Sequence, residues 1–280
     1  MPEMLIFGMG YTASRIADRL RALGWTVVGT SRAGRAGSLA FDDAASVRAA
    51  LGRADAVLSS VPPGEGEDPV FARYGADIGA GGRWVGYLSS TGVYGDSGGA
   101  WVDESAALAG RRAGRVAADR AWLARGAHVL RLPGIYGPGR SALDRVAERR
   151  AHRIDLPDQV FSRVHVDDIA SGVIAALGGP AGAYNLADDA PCSQNDVIDF
   201  ACTLLGVAPP PLQSMAVAGL SPMAMGFYAE NRRVANGKAK RMLGWHPRYR
   251  DYRAGLLALS AITSPAIASA DPATASPDQR

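Results

Sequence analysis

The chain has only two cysteines in 280 residues, Cys192 and Cys202, too few for a disulfide framework and not spaced as a CxxC pair. Such usage fits a reducing compartment with buried thiols, and a cytoplasmic protein is expected. Four histidines, His128, His152, His165 and His246, lie far apart with no metal-ligand spacing, so no metal is expected. No apolar run is long enough to span a bilayer, and no basic region precedes the short apolar run ending at Gly8. Neither a membrane protein nor a secretory signal is indicated. Charge of one sign is scarce too. The formal net charge is +3, and the arginines that supply nearly all of the 30 basic residues are scattered among acids. A nucleic-acid partner is therefore not expected. The remainder, 48% hydrophobic and 20% charged, is ordinary globular composition without internal repeats.

What the chain does contain is strand and helix in alternation. MLIFGMGYTASRIADRLRALGWTVVGTSR reads as a strand, a glycine turn, a helix and a second strand. Gly8, Gly10 and Ala13 form GxGxxA at the first joint, with Tyr11 and Thr12 completing the turn. Gly8 permits the tight turn, Gly10 lets a pyrophosphate approach bare backbone, and Ala13 lets the helix pack closely on the sheet. An ordinary tight turn is the plain alternative. The order of elements within about 30 residues favours dinucleotide binding. Cofactor choice turns on the end of the second strand, where an acid would accept from a ribose 2′-hydroxyl and repel a 2′-phosphate. Thr30, Ser31 and Arg32 stand there instead, which favours NADP over NAD and disfavours FAD, unless Arg32 is simply solvated.

Downstream, LAFD ends at Asp42, DAASVRAAL is helical, and ADAVLSSV is an apolar strand closed by Pro62 and Pro63. A helix over about 69–79, the strand RWVGYLSS, the helix RVAADRAWLAR and the strand AHVLRL follow. This alternation predicts an α/β fold, a Rossmann-type doubly wound and mostly parallel sheet covered on both faces. Past about Gly134 the elements shorten and Gly and Pro increase, as in the insertions that set ligand specificity. The organisation expected is one domain over 1–262, with a cofactor-binding core to about 133 and a small substrate lobe over 134–262. Residues 263–280, nearly free of large apolar side chains, read as a disordered tail.

Five further segments occur together: YLSSTGVYGD at 87–96, LRLPGIYGPGR at 130–140, RVHVDDIA at 163–170, YNLAD at 184–188 and LGWHPRY at 243–249. With the glycine motif, in this order and reaching to about residue 260, they resemble the extended short-chain dehydrogenase/reductase family, which includes nucleotide-sugar epimerases and dehydratases. The resemblance implies that Asp42 sits near the adenine amino group, that Ser59 and Val61 line the adenosine side, and that Pro133 borders the nicotinamide pocket. Where relatives often carry Asn, this chain has Gly134. Plain structural readings stand beside these. Asp167 could cap a helix with Ile169 in the core, IYGPGR could be only a turn, and LGWHPRY could close the C-terminal lobe around a buried Trp245. Arg232 and Arg233 suit a solvated helix face or a phosphate or carboxylate.

Active relatives use a Tyr and a Lys four residues later, with a Ser or Thr from the preceding strand end. Ser90 matches the Ser. Counting back from Asp119, which holds the place of the usual Glu, puts Arg115 at the Lys position and Arg111 at the Tyr position. Arginine stays protonated and cannot act as a general base, so the proton-transfer pair is missing, as in atypical members of the family. Arg111 and Arg115 could hold substrate or line an exposed helix face. Tyr94, four residues after Ser90, is the nearest candidate replacement acid, and its Phe variant is expected to lose turnover by about a hundredfold. These residues predict an NADP-binding oxidoreductase or epimerase/dehydratase-like enzyme acting by hydride transfer on a small polar substrate, a sugar nucleotide among the candidates. The alternative is a non-catalytic NAD(P)-binding sensor or interaction protein. Homodimerisation is left open.

Overall fold

In a computed structural model, which describes residues 1–35, 37–64, 66–79, 82–220 and 222–263, strand β1 (Glu3–Phe7) is buried on both faces. Met4 and Ile6 enter one hydrophobic cluster, Leu5 and Phe7 another. The twofold repeat of a strand thus feeds two apolar layers, as a parallel sheet covered on both sides requires. Helix α1 (Tyr11–Ala22) turns Ala13, Ile16, Ala17 and Leu20 onto the first cluster, a stripe with helical spacing.

Strands β2 (Thr26–Ser31) and β3 (Ser38–Ala40) lead to α2 (Ala44–Arg53), whose first turn is capped by Asp43 accepting from Ser46 N at 3.2 Å. After β4 (Ala56–Ser59), α3 (Pro69–Ile78) begins at buried Asp68. That carboxylate accepts from the amides of Val70 and Phe71 and from Trp122 Nε1, while Pro69 occupies a first-turn position that needs no amide donor. Strand β5 (Trp84–Ser90) closes this half.

The second half comprises β6 (Trp101–Val102), α4 (Ala113–Ala124), β7 (His128–Leu132), β8 (Gly134–Tyr136), α5 (Ala142–Ala147), β9 (Arg153–Ile154), β10 (Arg163–His165), α6 (Val166–Leu177) and β11 (Gly182–Asn185). It continues with α7 (Gln194–Leu205), β12 (Leu212–Gln213), α8 (Pro222–Tyr228), β13 (Arg233–Val234), α9 (Gly237–Leu243) and α10 (Tyr252–Thr263).

Seven strands form one sheet in the order β11-β7-β5-β4-β1-β2-β3, every pair parallel. This is the Rossmann-type doubly wound sheet that the alternation predicts. The chain runs outward from β1 to β3, then crosses back to β4 and runs the other way. The reversal opens a crevice at the carboxyl ends of β1 and β4, where ligands bind in such sheets. Beyond it, α5, α7 and α10 pack around Tyr136, Leu143, Ile198, Ala201, Tyr252 and Leu256, a separate apolar cluster in the C-terminal half.

Helix α6 starts otherwise than expected. His165, not Asp167, is its N-cap, with Nδ1 accepting from Asp167 N at 3.2 Å. Asp167 instead binds Arg15 of α1 at 2.7 Å, a contact between helices that local sequence does not disclose. Ile169 and Trp245 are buried in the first cluster. The IYGPGR segment is more than a turn: β8 pairs with β10, and Tyr11 OH donates to Pro138 O at 3.1 Å. The tail expected over 263–280 lies, apart from Thr263, outside the described residues.

Candidate active site

The turn between β1 and α1 is fastened from behind by Thr30. Gly8 N donates to Thr30 Oγ1 at 3.2 Å, and Met9 N donates to Thr30 O at 2.8 Å. Gly8 has φ +86°, where a side chain is strained, and a Cβ there would come within 2.9 Å of Val61 Cγ2. Gly10 is different. Its φ is −100°, and a Cβ would meet nothing within 4 Å. No side chain caps α1 at Gly10 and no acid lies in its first turn, so the helix directs unpaired amides and its positive end into open space. That donor set fits the pyrophosphate of a dinucleotide.

At the ribose end, Ser31 Oγ lies 2.9 Å from Ser38 Oγ and accepts from Arg35 N, so it shapes the following turn. Arg32 is exposed and has no hydrogen-bond or ion-pair partner among the described residues. Asp42 is exposed and pairs with Arg73 at 3.2 Å. Ser59, expected on the adenosine side, stays in the ladder between Phe7 and Tyr87 and is fully buried. Its successor Ser60 reaches the crevice, together with Pro62, while Val61 packs beneath Gly8.

From Thr12, Ser60 and Pro133 a cleft of about 1000 Å3 runs to Gln194, Tyr228 and Tyr252 in the C-terminal half. Ser90 lies on its floor as N-cap of the short 91–93 turn, with Oγ accepting from Gly92 N at 3.1 Å. Eight arginines and three carboxylates line the walls, and all three acids are engaged. Glu230 bridges Arg111 and Arg232 at 2.8 and 2.6 Å, Glu148 pairs with Arg150, and Asp144 closes the capping box of Ser141. Arg112, Arg115, Arg140 and Arg145 have no carboxylate partner among the described residues. Burial in the cleft walls lowers the pKa of Arg115 and Arg145, but guanidinium stays protonated at neutral pH. The cleft is electropositive.

Arg111 lines the cleft but is latched on one side. Besides Glu230, it donates from Nη2 to Gly226 O at 2.6 Å, tying the N-terminal end of α4 to α8. Arg233 points away from the cleft to Gly99 O.

Tyr94 corrects a second expectation. It is 4% exposed and does not line the cleft; its hydroxyl donates to Asn185 Oδ1 at 2.7 Å and accepts from Arg131 Nη1 at 3.0 Å. The short turn after Ser90 leaves Tyr94 out of the cleft lining, and burial raises its pKa. Tyr94→Phe is expected to leave turnover within about threefold and to cost about 1–3 kcal/mol of stability, because Arg131 and Asn185 each lose a buried partner. Urea unfolding beside steady-state assays reads both; a hundredfold fall in turnover without loss of stability would restore the catalytic reading.

A solved structure of a functionally unknown conserved protein from Silicibacter pomeroyi DSS is 41% identical to this chain, covering 94% of it and 99% of that protein, with TM-score 0.83. A protein assigned as an NAD-dependent epimerase/dehydratase from Methylobacillus flagellatus is 23% identical over 94% of this chain and 98% of its own, TM-score 0.73. The chain has the fold of these epimerase/dehydratase-type proteins. A human epimerase-family protein solved with NADPH shares this fold at 17% identity, covering 92% and 99% of the two chains, TM-score 0.73. Among curated proteins, the 3-diazoavenalumate denitrifying reductase of a Streptomyces species is 34% identical over 140 residues. That match spans 46% of this chain and 45% of the reductase, under half of either. No protein-family model matches the chain.

Of the two arginines expected at the Tyr and Lys positions, Arg111 is latched by Glu230 and Arg115 has no carboxylate partner among the described residues. Arg145, Arg140 and Gln194 escaped the sequence reading because each sits in a short segment whose charge pattern reads as a solvated face. The described residues contain no grouping of His, Cys, Asp or Glu able to hold a metal, and no helix long and apolar enough to cross a membrane.

Proposed function

We propose that the protein is an NADP-dependent oxidoreductase or epimerase/dehydratase-like enzyme acting on a small, polar, anionic substrate, with sugar nucleotides among the candidates. The observation that carries this reading is the continuity of the open Gly10 turn with a cleft in which five arginines, Arg112, Arg115, Arg140, Arg145 and Arg163, have no carboxylate partner among the described residues. When bound at the turn, NADP supplies or accepts a hydride at its nicotinamide. Ser90, whose oxygen is already an acceptor from Gly92, keeps its hydrogen to donate to the reacting oxygen of the substrate. Arg115, at the position of the usual Lys, places positive charge beside that oxygen and stabilises it as it becomes anionic. Buried and unpaired thiols at Cys202 and half-buried Cys192 support residence in the cytoplasm.

Incubating the protein with NADPH and a panel of 2-oxo acids, sugar phosphates and sugar nucleotides tests the reading by loss of absorbance at 340 nm. Oxidation with at least one anionic carbonyl compound is the expected result. A second reading, a cofactor-binding sensor without turnover, is favoured by the latched Arg111 and enclosed Tyr94. Tight NADPH binding with no oxidation across the panel would support it.

Cofactor preference follows from Ser31 and Arg32. NADPH is expected to bind at least about tenfold more tightly than NADH, since an unpaired guanidinium gains a charge-assisted bond only from the 2′-phosphate. Arg32→Asp should narrow the gap. Equal affinities in the unaltered protein, measured by fluorescence titration, would refute the assignment of NADP.

A further inference from the structure

The far end of the cleft, in the substrate lobe, carries a charge with nothing to balance it. Arg163 is 7% exposed, and its guanidinium donates only to neutral acceptors: the carbonyls of Phe161, Cys192 and Ser193, the Cys192 sulfur and Gln194 Oε1. The nearby Asp188 carboxyl is pushed up to about 8 by burial, so it stays largely protonated at neutral pH and provides no full counter-charge. A buried cation without an anion is a costly arrangement unless a ligand completes it.

Three groups with free donors surround this charge. Gln194, held by its oxygen to Arg163, leaves its buried Nε2 without a partner. Gln194 lines both the cleft and a void of about 10 Å3 behind it, the latter at the lower limit for one water. Arg145 of α5 lines the same end of the cleft and pairs with no carboxylate. The Tyr228 hydroxyl, from α8, is near enough to feel both Arg145 and Arg163 and has no hydrogen-bond partner among the described residues. Two donor side chains and a phenol thus converge in front of a buried positive charge, the arrangement that binds oxyanions.

We infer that Arg145, Gln194 and Tyr228, backed by the charge of Arg163, form a subsite for the acid group of the substrate, a carboxylate or a phosphoryl group, at the end of the cleft away from Ser90. This subsite rests on the reading of the cleft as the substrate site and adds a division of labour to it. The acid group anchors the molecule in the lobe, and its carbonyl or alcohol carbon is left at Ser90 and the cofactor. Binding energy at the anchor is then available to position the reacting end.

Calorimetric titration of the whole chain with sodium phosphate, pyrophosphate and malonate at constant ionic strength tests the subsite. It is run with NADPH at saturation and repeated in Gly10→Val, where the nucleotide turn is closed to phosphates. At least one probe should bind saturably, and Arg145→Gln and Tyr228→Phe should each weaken it, the former by about tenfold or more. Arg120→Gln, an exposed charge on α4 outside the cleft, should leave it unchanged. Tighter phosphate or pyrophosphate marks a phosphorylated substrate, and tighter malonate a carboxylic acid. No saturable binding of any probe, or equal binding in Arg145→Gln that retains its circular dichroism, would overturn the inference. Failure of NADPH to bind, with the anion response intact in Gly10→Val, would overturn the proposed reaction and not the subsite.

Discussion

Gly10→Val will abolish binding of the nicotinamide cofactor and leave the fold in place. The two halves of this result have separate causes. At φ −100° the backbone of Gly10 suits any residue, and a Cβ there meets no protein atom within 4 Å, so valine introduces neither strain nor clash. The same empty space is where the first-turn amides of α1 would meet the pyrophosphate, and a branched side chain fills it. Affinity should fall by about a hundredfold or more, read by NADPH fluorescence, while circular dichroism and the unfolding midpoint stay near those of the parent. Retained binding would place the cofactor elsewhere. Gly8→Ala offers the contrast, since φ +86° and the 2.9 Å approach to Val61 make it a folding lesion as well as a binding one.

Asp119→Ala should be the most destabilising single substitution in the core beneath the site. Asp119 is fully buried and receives Arg131 as a two-pronged pair, Nη2 to Oδ1 at 2.7 Å and Nε to Oδ2 at 3.0 Å, with Ser89 Oγ donating to Oδ2 at 2.7 Å. Arg131, 2% exposed, also donates to Tyr94, which in turn donates to Asn185. One network therefore links α4, β5, β7 and β11 under the cleft floor. Removing the carboxylate strands a buried guanidinium, a loss of about 3–5 kcal/mol against a total of about 5–15 kcal/mol for a typical domain. Urea denaturation of parent and variant measures it. A loss under about 1 kcal/mol would mean that the pair contributes little beyond a surface ion pair. A variant that still folds should bind substrate less tightly, because Ser89 and the adjoining Ser90 lose their support.

How far the site could be read in advance depended on whether its signal was local. Gly8, Gly10 and Ala13 announce the nucleotide turn because strand, turn and helix are contiguous, and the chemistry of the turn is carried by backbone. Arg115 could be placed on α4 by counting along one helix, whereas Arg111 lies just before its N-cap, Arg112. Their roles could not be told apart, since Glu230 and Gly226, which immobilise Arg111, are more than a hundred residues away. Tyr94 misled for the same reason: its spacing from Ser90 says nothing of the direction in which a three-residue turn aims it, and Asn185 and Arg131 claim its hydroxyl.

The sequence by itself determined the layers of this protein. Alternating apolar residues in β1, β4 and β7 and helical stripes such as that of α1 commit each element to a face, because hydrophobic burial follows a period that the backbone geometry sets. It also determined where a pyrophosphate can approach, through glycine. Only the tertiary structure decided which charges are spent and which remain. An arginine reads identically in a sequence whether it is latched by Glu230, like Arg111, held by carbonyls, like Arg163, or left without an anion, like Arg115 and Arg145. That distinction depends on distances of a few ångströms between segments far apart in the chain, across which charge interactions are strong and beyond which solvent screens them.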